Sequence, residues 1–144
     1  MVRGTDFWLI QDARGHMWKL NCSDFSSSIV MEFHCGAITD MAISDQFHLA
    51  VTCSEDGNIK LWDYIRLKPL FERQFNGRAM CVDLLRKSDI NKGRVAAVGY
   101  ASGIARIIYF TDDGIQLGKC FKAADAPIVK IKFSPAQNML VTAS

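Results

Sequence analysis

Two acidic pairs are the residues of this sequence whose types and spacing could support catalysis. Glu55-Asp56 and Asp112-Asp113 each place neighbouring carboxylates in the chain, and paired carboxylates can act as general acid and general base. A glycine follows each pair directly, and Asp-Gly is a strong signal for a tight hairpin turn because glycine readily adopts positive φ. We therefore interpret both pairs as turns between strands. The sequence assembles no nucleophile with a base, so it predicts no catalytic residue and a protein that is not an enzyme.

The histidines and cysteines do not indicate a metal or cofactor site. His16, His34 and His48 lack the close spacing of a metal-binding pair, and the five cysteines contain no Cys-x-x-Cys motif. The glycine-containing stretch 99–103 lacks the lysine and the following helix of a phosphate-binding loop. The sequence therefore predicts no metal and no cofactor. It predicts that the cysteines are reduced thiols, several of them buried.

Composition and charge define the class of protein. The 144 residues are 49% hydrophobic and 22% charged, which is typical of a globular protein with a substantial core. Apolar runs stay below the ~18 residues of a membrane span, and the first residues lack the apolar core of a signal peptide. The net charge of +2 does not indicate nucleic-acid binding. These features predict a cytoplasmic protein without membrane or nucleic-acid partners.

One segment of the chain is distinctly basic. Residues 60–94 carry nine basic and four acidic side chains, a formal charge of +5. Four of the basic residues lie in or beside a polar insertion: Arg86, Lys87, Lys92 and Arg94. Charged side chains on outer strands discourage strand-to-strand association, which is one explanation for them. The other is a binding surface for an acidic protein partner, such as a tubulin tail, and the sequence leaves both explanations open.

An internal repeat sets the order of the chain. Three turn glycines are 42 and 46 residues apart: Gly15, Gly57 and Gly103. The segment 37–54 also aligns without a gap to 127–144, and a weaker copy between them places Val82 at the position of Ile38. This period is typical of four-stranded propeller blades, in which short strands alternate with Gly-, Asp- and Ser-rich turns. The sequence therefore predicts an all-β fold of antiparallel four-stranded units.

The repeat divides the chain into about three propeller blades, which do not close a ring on their own. The predicted limits are an incomplete blade one at 1–33, blade two at 34–77, blade three at 78–123 and the start of blade four at 124–144. Propellers close with about 4–8 blades. A second strand that stops at Ser144 without its hairpin partner would also expose an edge. We therefore expect a fragment of a longer protein, whose remaining blades close the propeller.

The unit 34–63 resembles a WD repeat. The residues that carry the resemblance stand at the spacing of that family: His34, Ile38, Ser44, Thr52-Cys53-Ser54, Glu55-Asp56-Gly57 and Trp62-Asp63. In this family a tryptophan N–H, a hydroxyl, a histidine and the turn aspartate form a buried hydrogen-bonded network. The resemblance places this structural network on His34, Thr52, Asp56 and Trp62. Removing one member is expected to cost about 1–3 kcal/mol.

Blade three, predicted at 78–123, lacks the residues of this network. The positions that correspond to the threonine, aspartate and tryptophan hold Val98, Ser102 and Ile108. A tryptophan N–H and its hydroxyl acceptor are therefore both missing from this unit. We expect apolar packing, rather than polar bonding, to hold it together.

Within the WD-repeat family, two phrases resemble axonemal scaffold proteins of cilia and flagella. They are GHMWKLNCSDFSSSIVMEFHCGAITDMAIS at 15–44 and KGRVAAVGYASGIARIIYF at 92–110. The resemblance implies a non-enzymatic scaffold that binds axonemal or microtubule-associated proteins in the dynein-tether system of a motile cilium or flagellum. One alternative on the same fold is a general cytosolic adaptor for trafficking, ubiquitin ligation or RNA–protein assembly. A third possibility is a propeller enzyme, which would show a polar cluster converging on the central channel.

Overall fold

The structure is entirely β in the part of the chain that it describes. The computed structural model describes residues 7–11, 16–32, 34–44, 48–66, 68–85, 94–134 and 139–144. These residues form thirteen strands and no helix, which confirms the predicted all-β fold. The chain divides into two compact units, Met1–Ala37 and Ile38–Ser144.

The first unit contains one antiparallel sheet of three strands. In sheet order these are β1 (Phe7–Gln11), β2 (His16–Asn21) and β3 (Ser27–Glu32). A bulge interrupts the pairing of β2 with β3 between Met17 and Trp18. The strands follow one another in the sheet as they do in the sequence, so the sheet is a simple meander.

The second unit contains two four-stranded sheets and one strand pair. The 38–74 sheet consists of β4 (Ile38–Ser44), β5 (Leu49–Ser54), β6 (Asn58–Asp63) and β7 (Lys68–Gln74). The 79–122 sheet consists of β8 (Ala79–Leu84), β9 (Val95–Tyr100), β10 (Ile104–Thr111) and β11 (Gly114–Lys122). The strand pair consists of β12 (Lys130–Ser134) and β13 (Met139–Ala143). Neighbouring strands are antiparallel and consecutive in sequence. The limits of the individual blades stay predictions.

Glycines form the turns between the second and third strands of both four-stranded sheets. Gly57 and Gly103 have φ values of +81° and +77°, a region that residues with side chains rarely adopt. The amide of Gly57 donates to the Ser54 carbonyl at 3.0 Å, and that of Gly103 donates to the Tyr100 carbonyl at 3.0 Å. Asp112-Asp113 likewise forms the two-residue turn between β10 and β11. The prediction that the acidic pairs are turn residues is confirmed.

The main apolar core joins the 38–74 sheet to the 79–122 sheet. Its largest buried side chains include Ile59, Leu61 and Phe75 on one side and Leu84, Ile108 and Phe110 on the other. A smaller cluster joins the 79–122 sheet to the strand pair through Cys81, Ala97, Ala105, Ile128 and Ile131. Because β9 has neighbours on both faces, all of its residues are buried, which explains its continuous apolar run.

Two aspartates on first strands link neighbouring sheets. Asp40 Oδ2 on β4 accepts a hydrogen bond from Val82 N on β8 at 3.1 Å. Asp83 on β8 accepts one from Phe133 N on β12 at 2.9 Å and another from Lys132 Nζ at 2.6 Å. Asp83 is only 4% exposed, and these bonds satisfy a carboxylate that would otherwise be costly to bury. The links therefore fix the first strands of adjacent sheets against each other.

The strand register corrects one detail of the repeat alignment. The sequence predicts Val82 at the position of Ile38, and this is wrong by three residues. Ala79 pairs with Tyr100 as Ile38 pairs with Ser54, directly before the turn in each sheet. The error arises because a small alanine gives a weak hydrophobic signal, whereas the valine three residues later gives a strong one.

Candidate functional site

A buried hydrogen bond joins two of the four residues predicted for the polar network. Trp62 Nε1 on β6 donates to Thr52 Oγ1 on β5 at 2.9 Å. The register pairs Trp62 with Ala50 and Thr52 with Lys60, which sets the two side chains diagonally on one face of the sheet. Both residues are 9% exposed. The bond therefore satisfies a tryptophan N–H that is largely removed from water.

The other two predicted members, Asp56 and His34, lie in different units. Asp56 occupies the turn between β5 and β6, where its Oδ1 accepts the amide hydrogen of Asn58 at 2.7 Å. Such a bond is typical of an Asx turn and stabilises the turn conformation. His34 belongs to the first unit, and its side chain is buried. The complete four-residue network stays a prediction.

The corresponding positions of the 79–122 sheet are apolar. In the strand register Val98 and Ile108 occupy the places of Thr52 and Trp62, and both are 0% exposed. They belong to the core that this sheet shares with the 38–74 sheet. The structure thus shows the apolar packing that the sequence predicts for this unit.

The predicted basic surface is described in part. Arg86, Lys87 and Lys92 lie outside the described residues. Arg94 Nη1 donates to the exposed carboxylate of Asp112 at 2.7 Å. Two further arginines of the basic segment pair with acidic residues: Arg66 with Asp63, and Arg78 with Glu55. Acidic residues of the chain therefore neutralise part of this segment's charge, and the basic surface stays a prediction.

Burial makes two of the cysteines unreactive. It raises the pKa of the Cys53 thiol to about 12 and that of Cys81 to about 11. A thiol with a raised pKa contains little thiolate, which is the form that attacks electrophiles and binds metals. The other three cysteines, Cys22, Cys35 and Cys120, are exposed. The five cysteines are therefore free thiols as predicted, and two of them are buried.

Tyr100 and Arg106 form a second polar arrangement at the edge of the main core. The guanidinium carbon of Arg106 lies 4.1 Å from the centroid of the Tyr100 ring and 5.6 Å from that of Phe75. Tyr100 is fully buried, and burial raises the pKa of its hydroxyl to about 12. A tyrosine that stays protonated beneath a cation contributes packing and cation–π attraction rather than a catalytic base.

The described part of the chain offers no metal site. No group of three or more His, Cys, Asp and Glu residues there could hold a metal ion. The same residues include no helix with the length and apolar character needed to cross a membrane.

Phe25 is a surface residue that the sequence pattern does not single out. It lies in the turn between β2 and β3, where it is 78% exposed and has a φ of +54°. The surrounding residues 21–28 are rich in Asn, Asp and Ser, which favour turns. That composition signals the turn, but it does not show that the aromatic ring points into solvent.

Comparison with known proteins identifies the repeat. The family model described as "WD domain, G-beta repeat" matches residues 25–63. The chain is a WD-repeat protein. The matched segment includes β4, β5 and β6. It therefore contains both residues of the hydrogen bond between Trp62 and Thr52.

This WD-repeat protein is similar to two proteins named "Cilia- and flagella-associated protein 44". It is 30% identical over 115 residues to that of Mus musculus, which covers 76% of this chain and 6% of the relative. It is 30% identical over 83 residues to that of Trypanosoma brucei brucei (strain 927/4 GUTat10.1), which covers 49% of this chain and 5% of the relative. The chain therefore spans a small part of the length of these relatives.

Two further comparisons bear on the fold. "WD repeat-containing protein 90" of Mus musculus is 19% identical over 116 residues, which covers 79% of this chain and 6% of that protein. The crystal structure of the Saccharomyces cerevisiae Sqt1 matches with a TM-score of 0.66 and 19% identity, covering 96% of this chain and 42% of that chain. At this identity the structural likeness concerns the fold alone. Together with the sheet topology, it confirms the predicted WD-repeat β-propeller fold.

Proposed function

We propose that this chain is part of a non-enzymatic scaffold in the axoneme of cilia or flagella. The observation that carries the proposal is the 30% identity over 115 residues to a mouse protein whose name associates it with cilia and flagella. A trypanosome protein of the same name has the same identity over a shorter stretch. Because the chain covers 6% of the mouse protein, the activity and partners of the whole protein are part of the proposal.

The architecture of the second unit supports binding rather than chemistry. WD-repeat domains mediate protein–protein interaction. Two apolar clusters and the Asp40 and Asp83 links hold neighbouring sheets together, and rigid elements of this kind position binding loops. The buried polar groups that meet, such as Trp62 with Thr52, are engaged in structural bonds. The proposed role therefore depends on surfaces rather than on a catalytic centre.

The proposed partners are other axonemal or microtubule-associated proteins, in the system that tethers dynein during ciliary movement. The basic segment supports an acidic partner, because Arg94 is exposed and Arg86, Lys87 and Lys92 precede it in the sequence. We also propose that further blades of a longer protein complete the propeller on which these partners dock.

Localisation of the tagged full-length protein tests the proposal. We expect the protein in ciliated cells, where it should remain with the axoneme after detergent extraction, and we expect its loss to impair ciliary beating. A protein that is abundant in non-ciliated cells and washes out of extracted axonemes would contradict the proposal. That result would favour a general cytosolic adaptor.

Charge reversal tests the basic surface separately. Changing Arg86, Lys87, Lys92 and Arg94 to Glu in the full-length protein should weaken its retention on extracted axonemes. The effect should be strongest at low ionic strength, where charges are least screened. The double variant Lys119→Glu/Lys122→Glu, on the exposed strand β11, is the control, because it also replaces positive by negative charge but lies outside the basic segment. Equal retention of wild type and the fourfold variant at low salt would leave edge protection as the explanation for the basic residues.

A further inference from the structure

The turn between β2 and β3 presents an aromatic side chain to solvent. Phe25 is 78% exposed, which is more than any other large hydrophobic residue in the described ranges. Single exposed apolar residues are common on protein surfaces and need no explanation on their own. Phe25 differs from them because its backbone has a φ of +54°. The combination of exposure and an unfavourable backbone conformation therefore requires an explanation.

Polar residues fix this turn from both ends. Asn21 Oδ1 accepts hydrogen bonds from Ser23 N at 3.1 Å and from Ser23 Oγ at 2.7 Å. Asp24 Oδ1 accepts hydrogen bonds from Ser26 N at 3.0 Å and from Ser26 Oγ at 2.7 Å. The amide of Asn21 also donates to the Ser26 carbonyl at 2.9 Å. The backbone that carries Phe25 is therefore held in place by local hydrogen bonds.

The conformation of Phe25 is unfavourable for a residue with a bulky side chain. A left-handed backbone brings Cβ close to the following carbonyl oxygen, so glycine, and to a lesser extent Asn and Asp, adopt it readily. Stability of the turn alone would be served better by glycine at this position. Strained residues of this kind cluster at functional sites, such as active sites, ligand clamps and switch regions. A function outside the sheet accounts for an exposed ring on a fixed and strained backbone.

We propose that the β2–β3 turn docks onto a partner protein by inserting Phe25 into an apolar pocket whose rim carries a Lys or Arg beside Asp24. This inference rests on the proposed scaffold function and names a contact through which that function operates. The ring supplies apolar contact area, and docking costs little backbone freedom because the turn already fixes the backbone. A protruding side chain fits a concave protein surface rather than a small molecule.

Asp24 provides the charge that the partner must complement. Hydrogen bonds from the backbone and side chain of Ser26 lower the pKa of the Asp24 carboxyl. The group is therefore ionised at neutral pH, and it is exposed to solvent. The remaining turn residues are uncharged, so the complementary surface is an apolar pocket with a cation at its rim. A surface of acidic lipids would instead repel this turn.

The 38–74 sheet offers a matched control in the turn between β6 and β7. Asp63 Oδ1 accepts hydrogen bonds from Ile65 N at 3.0 Å and from Arg66 N at 2.9 Å. Ile65 is 64% exposed, but it is not among the described residues with positive φ, which apart from glycines are Phe25 and His48. Because Ile65 is exposed without strain, ordinary surface exposure explains it.

Hydrogen exchange in the full-length protein tests whether Phe25 supports the fold. Phe25→Gly should leave exchange of the β2 and β3 amides unchanged or slower, because glycine adopts positive φ without strain. Faster exchange in both strands would show that the ring stabilises the sheet, and this would overturn the inference.

Binding to detergent-extracted axonemes from cells that lack the protein tests the docking itself. Full-length wild type should bind, Phe25→Gly should bind at least about ten-fold more weakly, and Ile65→Gly should stay within about two-fold of wild type. Asp24→Asn keeps an acceptor for the turn but removes the charge, so it should weaken binding less and reduce its salt dependence. Equal binding by Phe25→Gly and wild type would overturn the docking inference alone. Failure of wild type to bind would overturn the proposed function and, with it, this inference.

Photocrosslinking identifies the pocket and separates it from self-association. A photoreactive phenylalanine analogue at position 25 of the full-length protein should crosslink, within the axoneme, to an apolar residue next to a Lys or Arg of another protein. Crosslinks confined to a second copy of the same protein would overturn the proposed partner.

Discussion

The 38–74 and 79–122 sheets share a backbone design and differ in how their interiors are filled. Both are four-stranded meanders with a bulge in the first strand pair and a glycine turn of positive φ between the second and third strands. The first contains the buried bond from Trp62 to Thr52, whereas the second has Ile108 and Val98 at the same positions. The two sheets therefore have the same strand pairing and turn geometry. Their interiors differ, because one contains a hydrogen-bonded polar pair and the other contains apolar side chains at the same positions.

The two interiors also depend on different interactions. Apolar neighbours can adjust to a new side chain, whereas a buried N–H and its acceptor each lose a partner when the other is removed. In the 79–122 sheet the central strand β9 is buried at every position, so packing on both faces stabilises it. The 38–74 sheet depends in addition on one specific hydrogen bond. This difference can be tested by substitutions at matched positions.

The largest effect is expected at the turn glycines, where the sheets are alike. A Cβ at Gly57 would lie 2.4 Å from the Phe75 carbonyl oxygen, and one at Gly103 would lie 2.0 Å from the Ala124 carbonyl oxygen. Backbone strain and steric overlap together predict that Gly57→Ala and Gly103→Ala each cost about 2–6 kcal/mol of unfolding free energy. Urea unfolding of the protein that carries this chain measures both losses.

Gly77 is the control that separates strain from overlap. Its φ is +99°, but a Cβ there would come no closer than 3.7 Å to a neighbouring atom. Gly77→Ala should therefore lose less stability than the other two variants. A large loss at only one of Gly57 and Gly103 would show that the two turns are not equivalent.

An intermediate loss of unfolding free energy is expected from substitutions at Thr52 and Val98, the matched positions at which the two sheets differ. Thr52→Val removes the acceptor of the Trp62 bond, and Val98→Thr places a hydroxyl at a fully buried apolar position. Each substitution should cost about 1–3 kcal/mol of unfolding free energy. Adding Trp62→Phe to Thr52→Val should recover part of the loss, because the donor of the bond is then also absent. A neutral Thr52→Val, measured by urea unfolding, would show that the polar pair does not distinguish the sheets.

The smallest effect of any single group is expected from the buried thiols one pH unit above their unfolded pKa. Folding raises the pKa of Cys53 from 9.0 to about 12, that of Cys81 from 9.0 to about 11 and that of Tyr100 from 10.0 to about 12. The unfolded chain releases these protons at a lower pH than the folded chain does. The contribution of these groups to the free energy of unfolding is therefore complete below pH 9 and decreases as the pH rises from 9 toward 12. One pH unit above the unfolded value, the expected loss is about 1 kcal/mol for each buried thiol.

Thiol variants assign this pH dependence to particular groups. Cys53→Ala and Cys81→Ala should each make the fall in unfolding free energy above pH 9 shallower, as measured by urea unfolding at a series of pH values. Cys22→Ala removes an exposed thiol and is the control for the replacement of a cysteine by alanine. Identical slopes in all three variants would contradict the assignment to the buried thiols.

Local features of the fold could be predicted from the sequence because their causes are local. Gly57 and Gly103 indicate their turns by residue type, since few other residues adopt positive φ without strain. Strand alternation and the repeat of these turns were sufficient to predict four-stranded antiparallel units. The resemblance to a WD repeat also predicted that Trp62 and Thr52 would meet, which the structure shows.

Other features depend on contacts between residues that are distant in sequence. No local pattern predicts that Asp83 bonds with Lys132 and Phe133, or that Arg78 pairs with Glu55. The +5 charge of residues 60–94 is likewise a property of the sequence, but the acids that neutralise part of it lie partly outside that segment. The folded chain therefore decides which charges remain available to a partner.

The sequence by itself determined the strand order, the turn positions and the family, because each follows from residue types within a few positions of one another. Only the tertiary structure decided which polar groups are buried and paired, and that Phe25 is exposed on a strained backbone. The physical reason is that burial and ion pairing depend on the neighbours that folding brings together. Residue type and local pattern carry little information about those neighbours.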